Sequence, residues 1–147
     1  MKIEQAMTRD VRTIKPSTTL REAAKLMVEI DAGSLPVAEN DKLVGMLTDR
    51  DIAVRAIAAG KGPDTTAGET MSPQVLYCYV DQDIDEVCQN MADQQVRRLP
   101  VVDRDKKLVG IVSIGDLARN DDDAAGEALE GIARPGGRNS HQPEARA

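Results

Sequence analysis

Aromatic side chains are almost absent from this chain of 147 residues, which has no Trp, no Phe and only two Tyr, at positions 77 and 79. Proteins that hold single-stranded nucleic acid without sequence preference stack its bases on aromatic rings, so such a platform is excluded. The core must be built from Val, Leu, Ile, Ala and Met. An excess of positive charge is missing too: Lys and Arg number 19 against 25 Asp and Glu, a formal charge of -6. That sign opposes the phosphate backbone that dominates nucleic-acid affinity, so bulk DNA or RNA is not an expected partner. The opening MKIEQAM has no apolar signal region, and no run approaches the ~20 apolar residues of a membrane span. A soluble, cytoplasmic protein without a membrane partner is expected.

Histidine is represented by His141 alone, inside a polar tail. General acid-base and nucleophilic chemistry at neutral pH usually recruit His, so no catalytic residue is assigned and no enzyme is expected. "GIVSIG" at 110–115 is not the GxSxG nucleophile elbow, and "AAGKG" near position 60 lacks the first glycine and the closing hydroxyl of a phosphate-binding loop. The two cysteines, Cys78 and Cys88, lack the spacing and the His partners of a zinc site, and no metal is assigned. They are expected as buried free thiols, and a disulfide between them is the alternative that a reducing cytosol disfavours.

What is present is a repeat. Shifted by 64 residues, the sequence pairs Met7 with Met71, Glu22 with Glu86, Met27 with Met91, and Leu35-Pro36-Val37 with Leu99-Pro100-Val101; shifted by 65, Lys42-Leu43-Val44-Gly45 pairs with Lys107-Leu108-Val109-Gly110 and Asp51 with Asp116. Two copies of a long period indicate a duplicated module. The copies span 7–59 and 71–119, with the Gly/Pro/Thr-rich stretch 60–70 as linker.

Each copy has one pattern. An extended run (11–14; 75–80) precedes a helix start at Thr19 or Asp83, three residues before Glu22 or Glu86. The apolar stripe is Leu20, Ala23, Ala24, Met27 and Ile30, or Ile84, Val87, Cys88 and Met91. A hairpin follows (35–38 with 43–47; 99–102 with 108–112), Pro36 and Pro100 standing at the strand heads, where a missing N–H is tolerated. A second helix is expected over 49–59, closed by Gly60, and from Asp116 to Arg119 or a little beyond. The fold class is therefore α/β (α+β), a β-α-β-β-α unit twice.

The joint between hairpin and second helix reads "GMLTDRD" at 45–51 and "GIVSIGD" at 110–116. Thr48 with Asp51, and Ser113 with Asp116, have the spacing of a capping box, which satisfies helix N–H groups and nothing more. The same joint offers an anion the free N–H groups of a helix start, and a carboxylate one turn on suits the two hydroxyls of a ribose. Both readings stand at this stage. The glycine leaves room for a ligand or a neighbouring backbone.

The duplicated unit, the "LPV" strands and the Gly-apolar-apolar-Thr/Ser-x-x-Asp joints resemble a stand-alone tandem CBS domain pair, or Bateman module, over about residues 3–119. "GMLTDRDI" with "AAG" and "TAGE" after it is similar to small bacterial two-CBS proteins of stress or hypoxic responses. The resemblance implies two lobes related by pseudo-twofold symmetry, often a homodimer, with up to two clefts for adenosine-type ligands such as AMP, ATP or NAD. It implies Asp51 and Asp116 on ribose and Thr48 and Ser113 on phosphate or ribose. Thr13, Ile14, Tyr77 and Cys78 would line the adenine pocket, completed by Ser34 and Pro36 or by Arg97, Arg98 and Pro100. The copies differ where Arg97-Arg98 replaces Gly33-Ser34, and where Arg50 stands against Gly115. The implied role is a regulatory sensor acting on an effector protein or through its dimer state; the alternative is a ligand-free dimerisation module.

Residues 120–147 are different material. An acidic run at 120–123, a weak stripe at Ala125, Leu129 and Ile132, and the stop at 135–137 suggest a short docking helix, with a disordered polar end after it.

Overall fold

Helix α1 (Leu20–Ile30) begins where Thr19 accepts a hydrogen bond from the Glu22 N–H at 3.2 Å, and it ends at Asp31, whose φ of 53° is left-handed. It leads to the antiparallel pair β1 (Ser34–Glu39) and β2 (Lys42–Thr48), with a bulge after Val37. The second helix of this copy is not a regular one. After one α turn, α2 (Asp49–Asp51), the chain continues as a π-helix over Ile52–Ile57, and Gly60 then takes the left-handed φ of 81° that suits a closing glycine. A short helix, α3 (Ala67–Thr70), follows.

The second copy repeats this with β3 (Cys78–Tyr79), α4 (Ile84–Gln94), β4 (Arg98–Val102), β5 (Leu108–Ser113) and α5 (Ile114–Asn120). The sheet order is β3-β4-β5, with β3 parallel to β4. The expected extended run at 11–14 contributes a single parallel bridge, Ile14 to Val37, and the one at 75–80 shrinks to β3, followed by one further hydrogen bond to β4 from the Val80 N–H to the Val102 carbonyl at 2.9 Å. Asp83 caps α4 without a side-chain hydrogen bond; its carboxylate pairs with Lys2 instead, at 3.2 Å. The computed structural model describes residues 1–72 and 75–135. The expected disordered end, with His141, lies outside the described residues. Among them no helix is long and apolar enough to cross a membrane.

Two compact units result, and neither follows chain order. Of the described residues, one holds 12–72, 75–76 and 106–108; the other holds 1–11, 77–105 and 109–135. In the first, α3 of the expected linker buries Ala67 and Thr70, and Met71 packs where a side chain on Gly45 would otherwise stand. In the second, the N-terminal turn at Ile3–Gln5 buries Ile3, and Met7 fills the equivalent place beside Gly110. The two joint glycines therefore make room for a methionine. The cores are aliphatic: Leu35, Val37 and Leu47 are fully buried in one unit, and Val87, Met91, Val101, Val112 and Leu117 in the other.

The second unit has one more helix, α6 (Asp122–Ala133), packed on α4 and α5. Its buried face is Ala124, Ala125 and Ala128, while Leu129 is 48% exposed. Of the expected stripe, Ala125 is buried, Ile132 is half-buried and Leu129 is turned outward, because close helix packing selects small side chains. Gly131 lies against Ala92, and the Gln95 Nε2 donates to the carbonyls of Gly131 (3.1 Å) and Arg134 (2.8 Å).

Candidate functional site

Strand pairing assembles the first set of expected residues inside one unit. The Ile14 N–H donates to the Pro36 carbonyl at 3.0 Å, and the Ala38 N–H to the Ile14 carbonyl at 2.9 Å. Ser34 stands opposite Thr48 across the hairpin. The exposed Thr13, the buried Ile14 and Pro36, and the joint Thr48–Asp51 therefore share one end of the strands. At that joint the capping box is formed: the Thr48 N–H donates to Asp51 Oδ2 and the Asp51 N–H to Thr48 Oγ1, both at 3.0 Å. The other carboxylate oxygen of Asp51 lies 3.7 Å from Arg55.

The helix start here is less available to an anion than the sequence suggests. The Asp49 N–H donates to the Gly33 carbonyl at 2.9 Å, and the Arg50 N–H to the Asp49 carboxylate at 2.8 Å. With the Asp51 N–H on Thr48, the first three N–H groups are all engaged within the chain. The side chain of Arg50 is exposed.

The second set repeats the arrangement with different charges. The Ser113 N–H donates to Asp116 Oδ2 at 2.9 Å and the Asp116 N–H to Ser113 Oγ at 3.1 Å; Asp116 is 6% exposed. Its second oxygen pairs with Arg119, and the Asn120 side chain donates to its backbone carbonyl at 2.7 Å. The Ile114 N–H donates to the Arg97 carbonyl at 2.9 Å, which ties the residues ahead of β4 to the helix start. Isoleucine stands here where the first copy has Asp49, so this start carries one acid fewer, and the exposed Arg97 and Arg98 add two cations. Cys78 pairs in register with Val101, and its thiol points to the Pro100 carbonyl at 3.8 Å. Tyr77 meets Tyr79 edge to face at 5.6 Å between ring centroids; Arg104 lies 4.2 Å over the Tyr79 ring and forks onto Asp81 at 2.7 and 3.1 Å.

Sequence reasoning missed Asp49, Arg55 and Arg119. Their signal was local: a carboxylate at the first helical position takes up N–H groups, and cations three or four residues after the joint Asp reach its carboxylate.

Both cysteines are free and buried. Burial pushes the Cys78 thiol up from 9.0 to about 12; burial, then the nearby Asp121, Asp85 and Glu127, push Cys88 up to about 11. Thiolate is the reactive form, so alkylation of the native protein at pH 8 should be far slower than of the unfolded chain, as quenched mass spectrometry would show. The same shifts set a stability trend. Below pH 9 both thiols are neutral whether folded or not; above it the unfolded chain ionises first and stability falls. For Cys78 the loss runs at about 1.4 kcal/mol per pH unit up to its folded value. Denaturant titrations at pH 8 and 10 on wild type and Cys78→Ala should show a smaller drop in the variant.

Both copies match the family model described as "CBS domain", over residues 3–57 and 67–123. The chain is 43% identical over 133 residues to the CBS domain-containing protein YhcV of Bacillus subtilis, covering 89% of this chain and 94% of that one. It is 42% identical over 116 residues to hypoxic response protein 1 of Mycobacterium tuberculosis, covering 78% and 80%. Among solved structures, Hypoxic Response Protein I with two coordinated zinc ions superposes with a TM-score of 0.75 at 40% identity, over 81% of this chain and 98% of that one. CBSX2 in complex with AMP gives 0.72 at 29% identity, over 81% and 94%. The CBS domain pair of MJ0100 with 5-methylthioadenosine and S-adenosyl-L-methionine gives 0.72 at 29%, over 82% and 94%. Among the described residues no group of three or more His, Cys, Asp or Glu is arranged to hold a metal ion.

Proposed function

The chain belongs to the CBS-domain family, with two copies of the domain, and on that premise we propose that it is a non-catalytic regulatory module that binds an adenosine-type nucleotide, AMP, ATP or NAD. The observation that carries the reading is the duplicated joint, in which a hydroxyl and a carboxylate meet at a helix start beside an extended strand, once in each unit. The AMP complex of CBSX2 and the adenosyl ligands of MJ0100 support it.

In this reading Asp51 and Asp116 accept the ribose hydroxyls while their second oxygens exchange Arg55 and Arg119 for the ligand. Thr48 and Ser113 meet the phosphate or ribose, and Thr13, Ile14, Tyr77 and Cys78 line the adenine with Ser34, Pro36 and Pro100. Arg50 serves the first site, Arg97 and Arg98 the second. Binding shifts a homodimeric, cytoplasmic protein between arrangements that an effector protein distinguishes, which requires unequal nucleotide affinity for the two arrangements. A second reading has one observation in its favour: the capping boxes already use the hydroxyls and one oxygen of each carboxylate, as a ligand-free dimerisation module needs.

A thermal-shift panel of AMP, ADP, ATP, NAD and S-adenosylmethionine separates the two. A ligand at ~100 times its dissociation constant should add about 2.7 kcal/mol of stability; no shift with any of the five would leave the dimerisation module. Light scattering across micromolar concentrations should give the mass of a dimer, and a monomer throughout would remove the dimer from this proposal.

A further inference from the structure

The carboxylate of Asp116 is buried, and its two oxygens are already divided between partners. Oδ2 accepts the Ser113 N–H, and Oδ1 accepts from Arg119, whose side chain is 71% exposed. A ribose that is to use Asp116 must therefore claim Oδ1, the oxygen that the guanidinium holds. Among the described residues Arg119 has no other hydrogen-bond or ion-pair partner. Gly115 puts no side chain beside it: a Cβ there would stand 3.8 Å from Arg119 Nη1 and 3.6 Å from Ser113 Oγ. Arg119 is thus an arm held at its tip, by the group a ligand has to claim, over bare backbone close to the Ser113 hydroxyl.

The first copy has no such arm. In the alignment of the two repeats Val54 stands in the place of Arg119, and Arg50 in the place of Gly115. Its own cation, Arg55, comes one position later and has a second anchor: besides lying 3.7 Å from Asp51, it donates to the Met71 carbonyl at 3.5 Å. A ligand on Asp51 leaves that second anchor in place. At Asp116 the outcome of the exchange depends on what the ligand brings. A nucleoside offers its ribose hydroxyls to the carboxylate and nothing to Arg119, so the ion pair of a buried acid is lost without replacement. A nucleotide carries on the same ribose a phosphate, the anion whose oxygens a guanidinium fork matches.

We propose that Arg119 sets the specificity of the second site for phosphorylated ligands: it holds Asp116 closed against a nucleoside and, displaced by the ribose of a nucleotide, closes on the phosphate. The inference rests on the reading of the Ser113–Asp116 joint as a nucleotide site and names the residue that tells nucleotide from nucleoside there.

The test uses the full chain carrying Asp51→Ala, so that calorimetry with adenosine and with AMP reads the second site. Adding Arg119→Gln should move the two ligands in opposite directions. AMP should bind about tenfold more weakly, for want of a charge-assisted contact, while adenosine should bind more tightly, since no cation competes for Asp116. A cation that only steadied Asp116 would shift both ligands by one factor. Arg119→Lys keeps the charge and should restore most of the preference for AMP. The ratio of two affinities measured on one preparation does not depend on its folded fraction, so a loss of stability in the glutamine variant does not blur the result. A ratio that Arg119→Gln leaves unchanged, or adenosine that fails to tighten, would overturn the part given to Arg119 while leaving the site standing. An Asp51→Ala protein that binds neither ligand overturns the nucleotide reading and this inference with it.

Discussion

Asp116→Ala should weaken nucleotide binding at the second site by about ten- to a hundredfold, the equivalent of the 1.5–3 kcal/mol carried by hydrogen bonds to a charged group. The first site should be untouched, because Asp51 and its partners belong to the other unit. The loss should depend on the phosphate chain. At the second site Arg97 and Arg98 head β4, and the helix start carries Ile114 where the first site has Asp49. On the proposed sites a triphosphate would therefore meet two cations and no added acid there, whereas at the first site it would meet Asp49, with Arg50 as the compensating charge. Removing Asp116 should cost ATP a larger share of its total binding than AMP, and removing Asp51 the reverse. Calorimetry on Asp51→Ala and Asp116→Ala with both nucleotides reads this directly. Equal fractional losses in all four titrations would show equivalent sites and refute the part given to Arg98. Asp116→Asn separates binding from folding, since its amide oxygen can still accept from the Ser113 N–H while the charge is gone.

Gly110→Ala should be among the most destabilising single-methyl additions to this protein, at about 1–3 kcal/mol, the usual cost of overpacking. The new Cβ would stand 2.6 Å from Met7 Sδ and 2.9 Å from the Thr8 carbonyl oxygen. A methionine can swing away. The Thr8 carbonyl cannot, because it accepts the Ile111 N–H at 2.9 Å, as part of the bridge that holds the N-terminal segment on β5. At Gly45→Ala the three nearest atoms all belong to the flexible Met71 side chain, and the change should cost less. Urea denaturation of the two variants should rank Gly110→Ala below Gly45→Ala. The opposite order would mean that the N-terminal segment is not fixed as described.

The difference between those glycines bears on how much the sequence disclosed. The β-α-β-β-α unit was legible because its signals are local and come twice: Thr19 and Ser113 at helix starts, Leu-Pro-Val at strand heads, the spacing from Thr48 to Asp51. The capping box and the proposed ribose site share one pattern, so it alone could not divide the two roles. What Gly45 and Gly110 accommodate was not legible, since Met71 and Met7 arrive from segments outside the hairpin they pack on. Cys88 is buried and its counterpart Ala24 exposed for the same kind of reason. The difference lies in α6, whose alanine face has no strong periodic signal of its own. The π-helical turn at 52–57 was also hidden, because its composition is that of an ordinary helix.

The most direct measurement is a calorimetric titration of the full chain with AMP, beside the Asp51→Ala/Asp116→Ala double variant at matched folded fraction. The expected result is saturable heat with at most two sites per chain for the wild type and none for the double variant. Wild-type protein giving no saturable heat up to about 1 mM nucleotide, where binding free energy falls to about 4 kcal/mol, or a folded double variant that binds as the wild type does, would contradict the assignment of the two joints as nucleotide sites.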